Sequence, residues 1–379
     1  MYNITLEINQ KCNLRCKYCY LGEKKGNRMP VDVGYRALDI AFDETRKHRD
    51  RKLSVQFIGG EPLLDFELMK DLVEYCEEKN KEYKYLIAYS ITTNATVLSA
   101  EIADFLCNYG FMIKISIDGD KAVNDINRVA SSGEGAFDKV MEKLPLFKDI
   151  QDRGKYLIQV TNVITGNNYM HYFETLKYLT RNLGLKAIDT AVDVSYDWNE
   201  EQIKVLENNV RQSFDYFVES YRAGRRFEWS LFQLLLNMEM ERKKFFFCGA
   251  GIISMYVRTD GTLLPCSGCL DEVVAIGNVI SGIDKAKVNF YKKIDSIDND
   301  ECNKCEIYDY CGEKSCMMQN LEVNKDMNKP VHVMCAKRKF LYKLYVENLE
   351  IIKEIAGEMV ASRDLYDDEI HRVHKEVFA

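Results

Sequence analysis

KYLIAYSITTNATVLSAEIADFLCNYGFMIKISIDG, residues 84–119, sets two runs of alternating apolar residues, KYLIAYSI (84–91) and FMIKISI (111–117), around one helical period, AEIADFLCNY (100–109). Period two on both sides of period 3.6 reads as strand, helix, strand. The same alternation extends in both directions. Strands are expected at ITLEI (4–8), LSVQFI (53–58), YLIQVTNVI (156–164) and, more weakly, LKAID (185–189). Between them lie the helical periods GYRALDIAFDETRKH (34–48), FELMKDLVEYCEEK (66–79), FDKVMEKLPLFKDI (137–150) and YFETLKYLTRNL (172–183). Six such alternations predict an α/β fold with parallel strands joined by right-handed crossovers, as a barrel or a doubly wound sheet. Catalytic groups are then expected just after strand ends.

Beyond the sixth strand, EEQIKVLENNVRQSFDYFVESYRAG (200–224) and WSLFQLLLNMEMER (229–242) read as helices, and KRKFLYKLYVENLEIIKEI (337–355) as another, followed by a charged, frayed tail. Regular periodicity fades between Cys248 and Cys335, where eight cysteines fall. A small region of that composition has an inorganic interior rather than an apolar one.

With 379 residues the chain exceeds the usual single domain, and its 52 basic and 59 acidic residues leave a net charge of −7. That balance argues against nucleic acid as the main partner. No apolar run approaches the roughly eighteen residues of a membrane span, and MYNITLEINQ lacks the features of a secretion signal. We therefore expect a cytoplasmic enzyme without a membrane partner. In a reducing compartment, 13 cysteines read as metal ligands or reactive thiols rather than as staples.

CNLRCKYCY (12–20) concentrates three of them, spaced C-x3-C-x2-C. An odd number of thiols on one short loop suits a metal or cluster site with an open position. Structural zinc prefers four closed ligands, often including histidine, and none of the five His is near. Thiolates also hold iron–sulfur clusters. The second strand runs into Gly59, Gly60, Glu61 and Pro62, a GGEP stretch whose glycines admit close backbone approach and whose carboxylate suits an ammonium group.

Cys12, Cys16 and Cys19 with Tyr18, followed by GGEP, resemble the radical S-adenosylmethionine (SAM) superfamily. The resemblance implies a partial (β/α)6 TIM-type barrel in which the three cysteines bind three irons of a [4Fe–4S] cluster. The amino and carboxylate groups of SAM would chelate the fourth iron. It also implies that Gly60 and Glu61 meet the methionyl amine, within the loop that Gly59 and Pro62 complete. Asn94, in TTNAT, would line the SAM pocket, although Ala95 stands where glycine is usual. Ser116 and Asp118, in KISIDG, would approach the ribose, Arg128 the SAM carboxylate, and Tyr18 the cluster or adenine. The bland alternatives are a strand-to-helix turn at TTNAT, a turn before Gly119, and a surface ion pair at Arg128. In that family a reduced cluster delivers one electron to the sulfonium, and the resulting 5′-deoxyadenosyl radical takes a hydrogen atom from substrate.

The later cysteines carry a second resemblance. CGAG, GTLLPC, ECNKCEIYDYCGEKSC and then Cys335 follow the order of the SPASM domain of radical SAM peptide-modifying enzymes, with one extra residue between Cys311 and Cys316. Carried over residue by residue, it implies one auxiliary [4Fe–4S] cluster on Cys302, Cys305, Cys311 and Cys335, and a second on Cys248, Cys266 and Cys316. Cys269 is favoured as the fourth ligand of the second cluster, although some relatives leave that iron open. Three [4Fe–4S] clusters and SAM are thus the expected cofactors, and Cys76 and Cys107 remain as small buried apolar groups. A zinc ribbon is the alternative for Cys266, Cys269, Cys302 and Cys305 taken alone.

The expected organisation is a radical SAM barrel over 1–198, a helical bridge over 199–243, the SPASM domain over 244–340, and a C-terminal helix and tail over 341–379. The resemblance implies oxidative crosslinking, thioether or carbon–carbon, of a ribosomally made peptide. Anaerobic sulfatase maturases, which oxidise a protein Cys or Ser to formylglycine, are the alternative. Their catalytic aspartate directly follows the cysteine of the G-x4-C element, where this chain has Ser267. A multi-cluster electron-transfer protein is the alternative outside the class, but it has no need of GGEP. Expected partners are a peptide or protein substrate and an electron donor such as ferredoxin or flavodoxin. No room for a leader-binding domain is visible ahead of Cys12, so a separate leader-peptide-binding protein or direct substrate binding is expected. No residue identifies itself as the acid or base.

Overall fold

The computed structural model describes residues 1–22, 24, 26–239, 249–293, 299–311 and 316–359. Cys248, expected as a cluster ligand, and the tail beyond 359 lie outside these residues. Six parallel strands, β1 (Tyr2–Asn9), β2 (Lys52–Gly59), β3 (Leu86–Thr93), β4 (Met112–Ser116), β5 (Gln159–Ile164) and β6 (Ala187–Val192), lie side by side in chain order. This is the order of an open (β/α)6 barrel.

Strand parity divides the two faces. Ile4, Leu6 and Ile8 of β1, Leu53, Val55 and Phe57 of β2, and Ile113 and Ile115 of β4 are buried against the helices. Most intervening positions are polar, Ile58 and Met112 excepted: Thr5 Oγ1 donates to Gln56 Oε1 at 3.1 Å across β1 and β2, and Lys114 of β4 meets Asp189 of β6 at 2.8 Å. A closed barrel fills its interior with branched apolar side chains. Here the inward stripe is polar and partly accessible, so the lumen is wet.

Several boundaries moved. β5 begins at Gln159 rather than at Tyr156. The period over 137–150 is two helices, Phe137–Met141 and Leu144–Arg153, the second opened by Pro145 in its first turn, where a missing N–H costs nothing. The helix expected over 172–183 is α-helical only over Tyr172–Lys177 and then widens to a π-turn over Tyr178–Asn182. Trp229 belongs to a two-residue strand, β7 (Glu228–Trp229), that extends the sheet beyond β6, and the following helix is short, Ser230–Leu236. The C-terminal helix starts earlier than expected, at His332, and breaks at Asn348.

The region of fading periodicity holds four strands that the sequence did not signal: β8 (Ser254–Val257), β9 (Thr262–Leu264), β10 (Gly277–Asn278) and β11 (Gly282–Ile283). β8 pairs in parallel with β1, and β9 to β11 continue antiparallel, so among the described residues one eleven-stranded sheet runs from barrel to cysteine-rich region. Each of these strands is two to four residues long, too short to show a period. The long helix Glu200–Arg222 opens on a capping box formed by Asn199 and Gln202. It receives the C-terminal helices through Arg211–Glu347 and Arg222–Glu354, and Arg226–Glu358 adds a third ion pair from the segment that follows it. No helix among the described residues is long and apolar enough to cross a membrane.

Candidate active site

Everything expected near SAM gathers at the C-terminal ends of β1 to β4. Cys12, Cys16 and Cys19 occupy the loop after β1, half-buried. The loop is fixed by backbone bonds to the segment after the helix Lys121–Asn127: Arg15 N donates to Val129 O at 2.7 Å and Lys17 N to Asn127 O at 3.0 Å. Cys12 and Cys16 pack on a small separate cluster of Leu14, Ala130 and Ala136. Lys24 Nζ stands 2.6 Å from Cys19 Sγ, and Arg128 Nη1 4.0 Å from Cys16 Sγ. These cations suit a thiolate ligand set, while burial first, and then the neighbouring carboxyls and thiols, raise the pKa of Cys12 and Cys16. Among the described residues, no three His, Cys, Asp or Glu are arranged to hold one metal ion.

Gly59 and Gly60 pass so close to β1 that side chains cannot fit. A Cβ on Gly60 would stand 2.2 Å from Lys11 O, and one on Gly59 2.4 Å from Asn9 O. The contact locks GGEP to the thiol loop, with Gly60 N donating to Asn9 O and Glu61 N to Lys11 O. Pro62 opens a single 3-10 turn, Pro62–Asp65. Asn9 Oδ1 and Gln10 Oε1 are buried here without a partner among the described residues. Two bare acceptors beside three thiols fit an ammonium-bearing ligand.

Glu61 is completely buried, and its oxygens accept from Thr93 Oγ1 at 2.6 Å, Asn94 N at 2.7 Å and Leu63 N at 3.1 Å. The carboxylate therefore ties the GGEP turn to the TTNAT turn. Burial outweighs these bonds and raises its pKa from 4.5 to about 7. The sign follows from linkage: between pH 4.5 and 7 the unfolded chain ionises while the folded one stays neutral, so stability falls as pH rises. The expected loss is about 3 kcal/mol across that window. Denaturation of the cluster-free protein against Glu61→Gln checks this, because the variant lacks the slope; parallel pH profiles contradict it.

Asn94 reaches into the loop. Its Nδ2 donates to Asn13 Oδ1 at 3.0 Å and lies 3.8 Å from Cys12 Sγ. Ala95, where glycine was expected, is fully buried with φ of +61° and thus holds the left-handed conformation that glycine adopts without strain.

Asp118 and Arg128, both buried, form one unit with the half-buried Tyr18. Asp118 Oδ2 accepts from Tyr18 Oη at 2.6 Å and Arg128 Nε at 3.1 Å, and its Oδ1 accepts from Val163 N at 2.9 Å. The guanidinium carbon lies 5.5 Å from the Tyr18 ring centroid. Arg128 is therefore no surface ion-pair residue: the pair is almost wholly buried. Ser116 closes β4 on the lumen side, in register with Thr161. Asn13, Lys24, Thr93 and Thr96 escaped the sequence reading. Asn13 and Lys24 lie within or beside the cysteine stretch, which was the available signal.

In the cysteine-rich region, Cys266 Sγ and Cys316 Sγ flank Gly268, at 3.3 and 3.8 Å from where its Cβ would be. The Cys335 thiol is raised to about 11 by burial and by the nearby Cys311, Cys302 and Cys305, which places these four together. Cys269 is buried beside Glu322, and its pKa is also raised to about 11. Cys76 is fully buried and Cys107 half-buried, on the helices where they were expected to pack as apolar groups.

Three thiols on the first barrel loop, a GGEP turn pressed against them and an Asp–Arg–Tyr unit at the fourth strand define a radical SAM enzyme. Residues 6–179 match the radical SAM superfamily, so the chain carries a radical SAM domain, and SPASM-type maturases are among the proteins it is similar to. The cysteine-type anaerobic sulfatase-maturating enzyme of Clostridium novyi (strain NT) is 23% identical over 368 residues, covering 91% of this chain and 95% of the relative. The antilisterial bacteriocin subtilosin biosynthesis protein AlbA of Bacillus subtilis (strain 168) is 22% identical over 351 residues, 86% and 69% of the two chains. Among solved structures, anSMEcpe with bound AdoMet and Cp18Cys peptide superposes with a TM-score of 0.76 over 94% of this chain and 99% of that one. At 20% identity this likeness speaks to the fold alone. Radical SAM enzymes use SAM and a [4Fe–4S] cluster, and the donor set on the first loop fits both.

Proposed function

We propose that this enzyme modifies a peptide or protein by removing a hydrogen atom from it, with Cys12, Cys16 and Cys19 holding the SAM-binding cluster. The observation that carries the reading is the meeting of that thiol loop with Glu61, Asn94 and the Asp118–Arg128–Tyr18 unit at one end of the barrel. Cluster and SAM together supply one-electron chemistry at a carbon–hydrogen bond. The chain's own residues orient and enclose. Gly59 and Gly60 bring backbone against the loop, the bare oxygens of Asn9 and Gln10 suit the methionyl amine, and Asn94 lines the pocket wall.

Two auxiliary [4Fe–4S] clusters complete the proposal, one on Cys302, Cys305, Cys311 and Cys335, the other on Cys266, Cys269 and Cys316 with Cys248. Cluster potentials range over about −700 to +450 mV, so such centres suit the uptake of an electron after hydrogen removal. The substrate would then lose two hydrogens in all, one as an atom and one as a proton, and gain a thioether or carbon–carbon link. A ferredoxin or flavodoxin is the proposed electron source, and a separate leader-binding protein a further partner.

Formylglycine formation is the second reading, favoured by the near full-length similarity to the Clostridium novyi maturase. Ser267 after Cys266 weighs the other way, since a hydroxyl is a poor base at that position. Coexpression with small peptides encoded beside the enzyme, followed by mass spectrometry, tests the proposal. Loss of two hydrogens with a new bond between two residues supports the crosslink, whereas an aldehyde within one residue, formed by loss of two hydrogens at a serine or by that loss with sulfur replaced by oxygen at a cysteine, supports the maturase. Peptides left unchanged while SAM is consumed would sink both.

A further inference from the structure

The inward face of the barrel carries one ion pair at the level of the site. Lys114 Nζ of β4 lies 2.8 Å from Asp189 Oδ2 of β6, and both side chains keep about a third of their surface accessible, at 32% and 30%. Nothing in the SAM site needs them. Strand register fixes their height: Asp189 pairs with Thr161, and Thr161 with Ser116, so Asp189 stands level with the last residue of β4 at the catalytic rim. Lys114 stands one layer deeper, in register with Gln159. The Oγ1 of Thr161, on the strand between them, is buried without a partner among the described residues.

An isolated surface pair of this kind contributes little to stability. A half-accessible pair inside a polar lumen has another use. Asp189 spends one oxygen on Lys114, and its Oδ1 has no partner among the described residues; the ammonium has three protons and spends one. The pair thus presents an acceptor beside donors, the complement of the N–H and C=O that one residue of an extended chain turns to the same side.

We propose that Lys114 and Asp189 are substrate-positioning residues that grip one residue of an extended substrate, its N–H donating to Asp189 Oδ1 and its C=O accepting from Lys114 Nζ. The inference rests on the reading of a peptide substrate and adds where the chain is held. It makes the enzyme a reader of extended backbone within the lumen, so that residue choice is left to side chains beyond this level.

The test uses full-length, anaerobically reconstituted enzyme with SAM, dithionite and a pool of short synthetic peptides, each containing one cysteine and one serine. Lys114→Met, Asp189→Asn and the exchanged pair Lys114→Asp/Asp189→Lys are compared with wild type by peptide KM, kcat and SAM dissociation constant. A hydrogen bond to a charged group carries enough energy for about a tenfold effect. The expected result is a peptide KM raised at least about tenfold, with a smaller change in kcat and no change in SAM affinity. Wild-type KM in single variants that still bind SAM overturns the inference. Should the single variants fail to fold, the exchanged pair decides, because it keeps the ion pair but reverses the donor and acceptor: a raised KM supports the grip and an unchanged one overturns it. A wild-type enzyme that cleaves SAM yet modifies no peptide overturns the peptide reading itself, a distinguishable outcome.

Discussion

Alanine at Cys12, Cys16 and Cys19 together is expected to abolish reductive SAM cleavage, with 5′-deoxyadenosine falling to the background of dithionite and SAM alone. Iron content should drop by about four atoms per chain. The effect is large because nothing else on the loop offers a soft ligand, and enzymatic accelerations of 10⁶-fold or more vanish with the group that performs the chemistry. Folding should survive. Cys12 and Cys16 pack only on the Leu14, Ala130 and Ala136 cluster, so the deleted sulfurs leave no cavity in the main core. Iron analysis, anaerobic spectroscopy and thermal denaturation of the same preparation separate the two effects. Retained SAM cleavage in the triple variant would remove the basis of the functional assignment.

Arg128→Ala is expected to be the most damaging single change to the fold of the site, costing about 3–5 kcal/mol. It strands the Asp118 carboxylate, whose side chain is 0% accessible, without its counter-charge. Tyr18 loses its cationic neighbour in the same step. Because the two charges form a unit, Asp118→Ala/Arg128→Ala should cost less than the sum of its single changes. Urea denaturation of the four cluster-free proteins measures the coupling. Strict additivity would show that the pair is no unit. SAM affinity should fall in both single variants, since Tyr18 lies in the cluster loop and Asp118 at the end of the fourth strand.

How much of this was legible beforehand depends on range. The β/α alternation and the clustering of GGEP, TTNAT and KISIDG at strand ends are local signals, and parity plus spacing exposes them. Partners that meet across the sheet are not. Glu61 was expected to face an amine, yet three donors from the neighbouring turns already occupy its oxygens. No pattern within GGEP announces Thr93. Lys114 and Asp189 sit 75 residues apart, and each looks ordinary in its own strand. Even so, parity held a hint: in KISI the lysine shares its face with Ser116, and polar residues recur at that parity in the neighbouring strands. The strands β8 to β11 were invisible for another reason, being too short for a period to repeat. Their pairing depends on β1, more than 240 residues away.

That pairing has a mechanical consequence. Cys12 hangs three residues beyond the end of β1, and Cys266 two residues beyond the end of β9, which is laced through β8 to β1 itself. Glu7 adds a rivet, accepting from Thr259 N at 3.1 Å in the turn between β8 and β9. On the proposed reading, metal held by the two thiols would be suspended from one backbone ladder, and the gap an electron would cross between them would be set by the sheet rather than by the swing of one domain against another.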